Sequence, residues 1–152
     1  MIGYKETMQS CRLALDVPED LAHLKTVRHA VREMLASVGV TQQDRDDVEL
    51  LVGELATNVV RHANSGLAYH VEVEVKQDTV VIIVTDQGQG FIREKVALPG
   101  TLRAEKLVEG VIERFGGWGL PMVETLADRV DFLRHEPHGT KVRAEKQLQF
   151  RN

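Results

Sequence analysis

The stretch "ELATNVVRHA", residues 54–63, decides how this chain is to be read. It closes an apolar stripe of Val48, Leu51, Val52, Leu55 and Val59, whose spacing predicts a helix running to about residue 63. Residues four apart stack on a helix, so Glu54, Asn58 and His62 form a polar row beside that stripe. A solvent-facing row is the plain interpretation. Residues 48–63 are nevertheless apolar on most sides, as a central helix with little free surface would be. A partly buried carboxylate beside an amide costs several kcal/mol unless something pairs with it, and a cation is an obvious candidate.

Working outward, Thr41 with Asp44 resembles the start of this helix, although Glu or Gln is the better partner for a capping box. Apolar residues at 21, 24, 27, 31, 34, 35 and 38 predict another helix over Leu21 to Val38, opening near Pro18 and stopping at Gly39. Before it, residues 11–17 (CRLALDV) alternate like a strand. After "NSG" the period changes to two: His70 to Lys76 alternates, Gln77-Asp78 turns, and Thr79 to Asp86 completes a hairpin. Residues 87–119 hold seven glycines, enough to read as a long, partly helical excursion. A short helix at about 120–128 and strands at 129–135 and 140–148, joined by "PHG", follow. Helices over one face of a mixed, mainly antiparallel sheet make an α+β two-layer sandwich, and 152 residues are read as one domain.

Composition narrows the function classes. A net charge of −4 offers no basic face for nucleic acid. The longest aliphatic run, Val80 to Val84, is far too short to span a bilayer, and MIGYKETMQS lacks the apolar core of a secretory signal. The single cysteine, Cys11, excludes an intramolecular disulfide framework and a multi-cysteine zinc site. A cytoplasmic protein is expected, with neither nucleic acid nor membrane as partner. No GxxxxGK[ST] loop is present, Met122 stands where GxGxxG needs its third glycine, and Ser65 lies outside any GxSxG elbow. His135 and His138 flank a Pro/Gly turn and read as solvated turn residues.

Three further stretches could carry chemistry. In "VTDQGQGF", 84–91, Asp86 ends a buried strand, suited to accept a hydrogen bond from an exocyclic amine such as that of adenine. Gly88 and Gly90 would let backbone approach a flat ring with no Cβ between, although the motif also suits a flexible turn. "FGGWGL", 115–120, runs Gly-rich backbone into a helix N-terminus, a seat for phosphate oxygens or a simple hinge. "HGT", 138–140, is more simply a hairpin turn.

In this order, E-L-x-x-N-x-x-x-H-A, D-x-G-x-G, G-x-G-L and G-T resemble the GHKL ATPase superfamily, which includes histidine kinases and DNA gyrase B subunits. The match covers about residues 19–148 and is most similar to the bacterial anti-sigma factor serine/threonine kinases. The resemblance implies ATP and Mg2+ as cofactors, with Asn58 holding the metal and Glu54 the general base. It implies that Asp86 reads the adenine amine, with Gly88 and Gly90 shaping that pocket, and that Thr140 supports the adenine. Gly117, Gly119 and Leu120 would carry phosphate-side contacts in a lid; His62 and Arg61 would make a phosphate-side contact or pack. The implied function is phosphorylation of a STAS-type anti-sigma factor antagonist, with a sigma factor and a second copy of the chain as further partners. The alternative is an ATP/ADP-binding switch module that acts by partner binding without kinase activity. A glutamate four residues before the metal-binding Asn separates this group from histidine kinases, and no segment ahead of the domain reads as a phospho-accepting histidine helix. One departure stands out: those kinases often carry Arg between the glycines of the third motif, where this chain has Trp118 followed by Leu120-Pro121-Met122. Arg93, Lys95, Arg103, Lys106 and Arg114 of the lid segment are either candidate substitutes for that cation or, as charges in a loop usually are, solvated.

Overall fold

The computed structural model describes residues 10–88, 101–103, 119–135 and 138–151. The described residues open with a strand, β1 (Ser10–Val17), then make a 3-10 turn at Leu21–His23 before helix α1 (Leu24–Ser37). Helix α2 (Gln42–His62) leads into the hairpin β2 (Tyr69–Lys76) and β3 (Thr79–Thr85). A short strand β4 (Thr101–Arg103), helix α3 (Gly119–Leu126) and strands β5 (Arg129–Arg134) and β6 (Thr140–Gln147) complete the order.

The six strands form one sheet in the order β1-β2-β3-β6-β5-β4. Every pairing among these described strands is antiparallel, in keeping with the expected mainly antiparallel sheet. Alternation in the strands sends one set of side chains inward: Tyr69, Val71, Val73 and Val75 of β2, and Val80, Ile82 and Val84 of β3. Phe132 of β5 and Val142 and Ala144 of β6 extend the same face. The helices cover it with Leu24, Val27, Val31 and Leu35 from α1 and the whole predicted stripe of α2, from Val48 to Val59. The result is the expected α+β two-layer arrangement.

Helix α2 is central: it packs against α1 and α3 and reaches β3. Its start is the one anticipated, with Thr41 Oγ1 accepting from Asp44 N at 3.4 Å. Asp44 does not reach back to close a capping box. Its side chain is nearly buried and instead accepts from Gln149 N at 2.6 Å, tying the C-terminal segment to this corner.

One expectation needs correction. Leu21 is not part of the first helix's buried stripe; it sits in the 3-10 turn, 60% exposed, because Asp20 caps that turn by accepting from Ala22 N. Within the excursion read as partly helical, the described residues Thr101–Arg103 form β4, which adds to the edge of β5 with Leu102 opposite Phe132, and residues 89–100 and 104–118 lie outside the described residues. Three residues are too few for a period of two to stand out.

Candidate functional site

The polar row on α2 is graded in exposure. Glu54 is half-buried, Asn58 is 5% exposed, and His62, in the last turn, is exposed. The row therefore enters the protein rather than facing water throughout. A half-buried carboxylate can still exchange protons with solvent, while a buried amide one turn away is held in a fixed orientation. On the neighbouring face, a Cβ at Gly53 would lie 3.1 Å from Arg28 Cδ, so this glycine lets α1 lie close along α2 beside Glu54.

Asp86 follows directly on β3 and is 1% exposed. A buried carboxylate requires donors, and two backbone N–H groups supply them: Gly88 N at 2.9 Å and Thr140 N at 3.2 Å, both to Oδ1. Asp86 N in turn donates to Thr140 O at 2.9 Å. The β3–β6 pairing, with Thr85 opposite Lys141, is what brings Asp86 and Thr140 together. The "D-x-G" turn and the "G-T" hairpin are thus one unit that fixes a single carboxylate.

Two glycines make that unit possible. Gly139 has φ +121°, and a Cβ on it would fall 2.1 Å from Asp86 O. Gly88 lies against the end of α2, where a Cβ would meet Ala63 O at 2.5 Å and Ala63 Cα at 2.6 Å. The Asp86 turn therefore rests on the C-cap of the helix that carries Glu54 and Asn58. Among the described residues, the missing side chain of Gly88 makes room for the α2 terminus.

Gly119 and Leu120 open α3, as the helix-entry motif predicted. Gly90 and Gly117 lie outside the described residues, as do Trp118 and the lid cations Arg93, Lys95, Lys106 and Arg114; Arg103 belongs to β4. Sequence reasoning quoted Gly139 only as part of the G-T motif, with no role of its own, and missed the contacts of Ala63 and His138. His138 is exposed but not merely solvated, because its Nδ1 lies 3.2 Å from Gly88 O. A glycine directly before a strand was the available signal for Gly139; nothing local pointed to the other two. A cleft of about 460 Å³ lined by Pro18, Glu19, Asn64, Gly66, Leu67 and Ala68 contains none of the expected site residues.

A fixed buried acceptor on one side and a buried amide beside a carboxylate on the other suit a ligand with an amine-bearing ring and a metal-bound anionic tail. The donor set fits that demand: Asn58 offers a hard amide oxygen, the ligand type Mg2+ takes, and Asp86 is held in place for a hydrogen-bond donor. Fold and site together define an ATP-binding domain of the histidine-kinase-like kind. The family model described as the histidine kinase-like ATPase domain matches residues 17–146, and the chain belongs to that family. Membership in an ATPase family makes ATP its nucleotide.

Among its relatives, the chain is 34% identical over 128 residues to the serine-protein kinase RsbW of Halalkalibacterium halodurans, covering 78% of this chain and 74% of that one. It is 31% identical over 118 residues to the serine-protein kinase RsbW of Bacillus licheniformis, covering 74% and 72%. In structure it is similar to the RsbU and RsbW domains of Rv1364c from Mycobacterium tuberculosis, with TM-score 0.64 and 21% identity over 93% of this chain and 35% of that one. It is also similar to a chain of the SiaB–SiaC complex from Pseudomonas aeruginosa, with TM-score 0.65 and 17% identity over 95% and 94%. Likenesses at that identity bear on the fold alone.

Proposed function

We propose that this chain is an ATP-dependent serine/threonine protein kinase that phosphorylates a STAS-type antagonist of an anti-sigma factor, and that it also restrains a sigma factor. The observation that carries the reading is the α2 row: a half-buried Glu54 one turn from a buried Asn58, on the helix whose end supports Asp86. The serine-protein kinases among its relatives support it independently.

In this reading bound Mg-ATP supplies the γ-phosphoryl group, with the cation offsetting part of the phosphate charge. The Asn58 side-chain oxygen would hold the magnesium. Glu54 would take the proton from the acceptor hydroxyl as that oxygen bonds the γ-phosphorus and the bond to the bridging oxygen breaks, releasing ADP, and its solvent-reached side would return the proton to water. Asp86 accepts from the adenine amine, oriented by the two N–H donors on Oδ1, and Thr140 backs the ring. The reading assigns Gly90 with Gly88 to the adenine, and Gly117, Gly119, Leu120 and His62 to phosphate-side contacts. The protein acts as a homodimer in the cytoplasm, where ATP and the sigma factor are found. Among the described residues no helix is long and apolar enough to cross a membrane.

The test is incubation with labelled Mg-ATP and candidate STAS proteins. Label should move to a serine or threonine of one of them. Glu54→Gln should slow transfer by about 10²–10⁴-fold while ATP still binds. A second reading, a nucleotide-controlled binding module without transfer, is favoured by Trp118 standing where these kinases often carry Arg. Tight ATP binding with no transfer to any candidate would select it.

A further inference from the structure

The β5–β6 hairpin contributes more than backbone to the Asp86 turn. His138 Nδ1 lies 3.2 Å from Gly88 O across fifty residues of sequence. The acceptor is a carbonyl, so Nδ1 carries the hydrogen and donates, as it can in the neutral Nδ1–H tautomer and in the imidazolium alike. Two positions further on, Thr140 N donates to Asp86 Oδ1, and Gly139 between them is pressed against Asp86 O. The turn is therefore gripped at both ends, at Asp86 by backbone and at Gly88 by an imidazole. Gly88 is also the residue that donates to Asp86 Oδ1 and abuts Ala63 of α2. Whatever fixes Gly88 fixes the carboxylate's orientation and its placement relative to Glu54 and Asn58.

We propose that His138 is a positioning residue for nucleotide recognition: its Nδ1–H holds the Gly88 carbonyl so that Asp86 is preset to receive the six-position amine of the purine. The proposal rests on the reading that Asp86 meets the adenine. It goes beyond that reading by assigning to an exposed turn side chain a share of the affinity and of the base selectivity. Without the contact, the backbone bonds to Asp86 remain but the Gly88 carbonyl loses its tether, so part of the ordering of residue 88 falls to the ligand and is subtracted from binding. A hydrogen bond of ordinary net strength corresponds to roughly three- to tenfold in affinity. The loss should fall on purines with an amine at that position. Inosine triphosphate, which has a carbonyl there, gains less from a well-placed acceptor.

The geometry supplies its own control. Asparagine Nδ2 is bonded to Cγ just as histidine Nδ1 is, so His138→Asn keeps a donor at the same place. His138→Asp puts an acceptor there, opposite a carbonyl. Calorimetric titration of the wild type, His138→Ala, His138→Asn and His138→Asp with Mg-ATP and Mg-ITP tests the idea, with thermal unfolding run on each protein. His138→Ala should weaken ATP roughly three- to tenfold and narrow the ATP-over-ITP preference by a similar factor. His138→Asn should return ATP affinity to within about twofold of wild type, and His138→Asp should be at least as weak as the alanine variant. Wild-type ATP affinity in His138→Ala, or no recovery in His138→Asn, overturns the proposal. An Asp86→Asn protein run alongside separates the two levels. If wild type binds ATP and Asp86→Asn does not while His138→Ala matches wild type, the positioning role alone fails. If Asp86→Asn matches wild type as well, or wild type binds no ATP, the adenine reading fails with it.

Discussion

Gly139→Ala tests whether the Asp86 turn and the final hairpin are one interlocked unit. At φ +121° an L side chain is strained, at a cost of about 1–3 kcal/mol. The new methyl would also lie 2.1 Å from Asp86 O and 3.0 Å from Gln87 Cα, both backbone atoms that no rotamer change can move aside. Forcing volume into such a place costs roughly another 1–3 kcal/mol. For a chain of this size each kcal/mol lowers Tm by about 2–4 °C, so the combined expectation is a fall of about 5–20 °C. Gly39→Ala is the control, because Gly39 also has positive φ, +87°, yet nothing lies within 4 Å of its would-be Cβ. It should lose the left-handed term alone, about 1–2 kcal/mol, and keep its ATP affinity. Gly139→Ala must part the hairpin from Asp86 and so loosen the Thr140 N–Asp86 hydrogen bond, weakening ATP binding as well as stability. Thermal unfolding with a nucleotide titration on both variants is the assay. Equal Tm losses in the two proteins, or an unchanged ATP affinity in Gly139→Ala, would refute the interlock.

Two further predictions concern groups outside the site. Tyr69 is fully buried and its hydroxyl has no hydrogen-bond partner among the described residues; burial, then the charge of Glu19, pushes the phenol up to about 12. Tyr69→Phe removes that unsatisfied group and should melt at or a few degrees above wild type, a gain of about 1 kcal/mol at most; a clear drop in Tm would contradict the assignment. On the outer sheet face, the hydrogen bond to Asp16 raises the His70 imidazole's pKa, burial opposes it, and Glu72 adds to the rise. A raised folded-state value stabilises the protein fully below the unfolded value near 6.5, and that contribution is lost as pH climbs through the folded one. For Glu72, burial pulls the carboxyl up, but hydrogen bonds from Arg12 and His70 outweigh it and hold it low. Its contribution is therefore present above the unfolded carboxyl range and fades as pH falls through the folded value. Proton NMR of the His70 ring should give a midpoint above 6.5 that moves down in Asp16→Asn; no movement would show that the contact at 2.8 Å is not made in solution.

Much of this architecture was legible because it is periodic. The α2 stripe, the Thr41 cap and the alternation of β2 are local signals, and each is realised as the residue pattern demands. The polar row and Asp86 were legible for a related reason: polar groups set within apolar surroundings need an explanation in the sequence itself. What escaped was tertiary. Gly139 is required by a backbone oxygen on another strand, Gly88 by the end of a helix 25 residues earlier, and His138 by a carbonyl fifty residues away. No window of sequence contains both members of such a pair. Asp44 shows the converse, since a residue placed for a local cap is used instead on Gln149 N at the far end of the chain.

The central claim, that an adenine nucleotide is read by Asp86 beside the α2 row, is tested most directly by calorimetric titration of Mg-ATP into wild type and Asp86→Asn. Asparagine Oδ1 can still accept from Gly88 N and Thr140 N, so the fold should hold and the melting temperature should stay close to wild type. The account predicts clear binding to wild type and affinity about ten- to a hundredfold weaker in the variant, the loss of one charge-assisted hydrogen bond. No heat from wild type, or equal affinity in the two proteins, would contradict it.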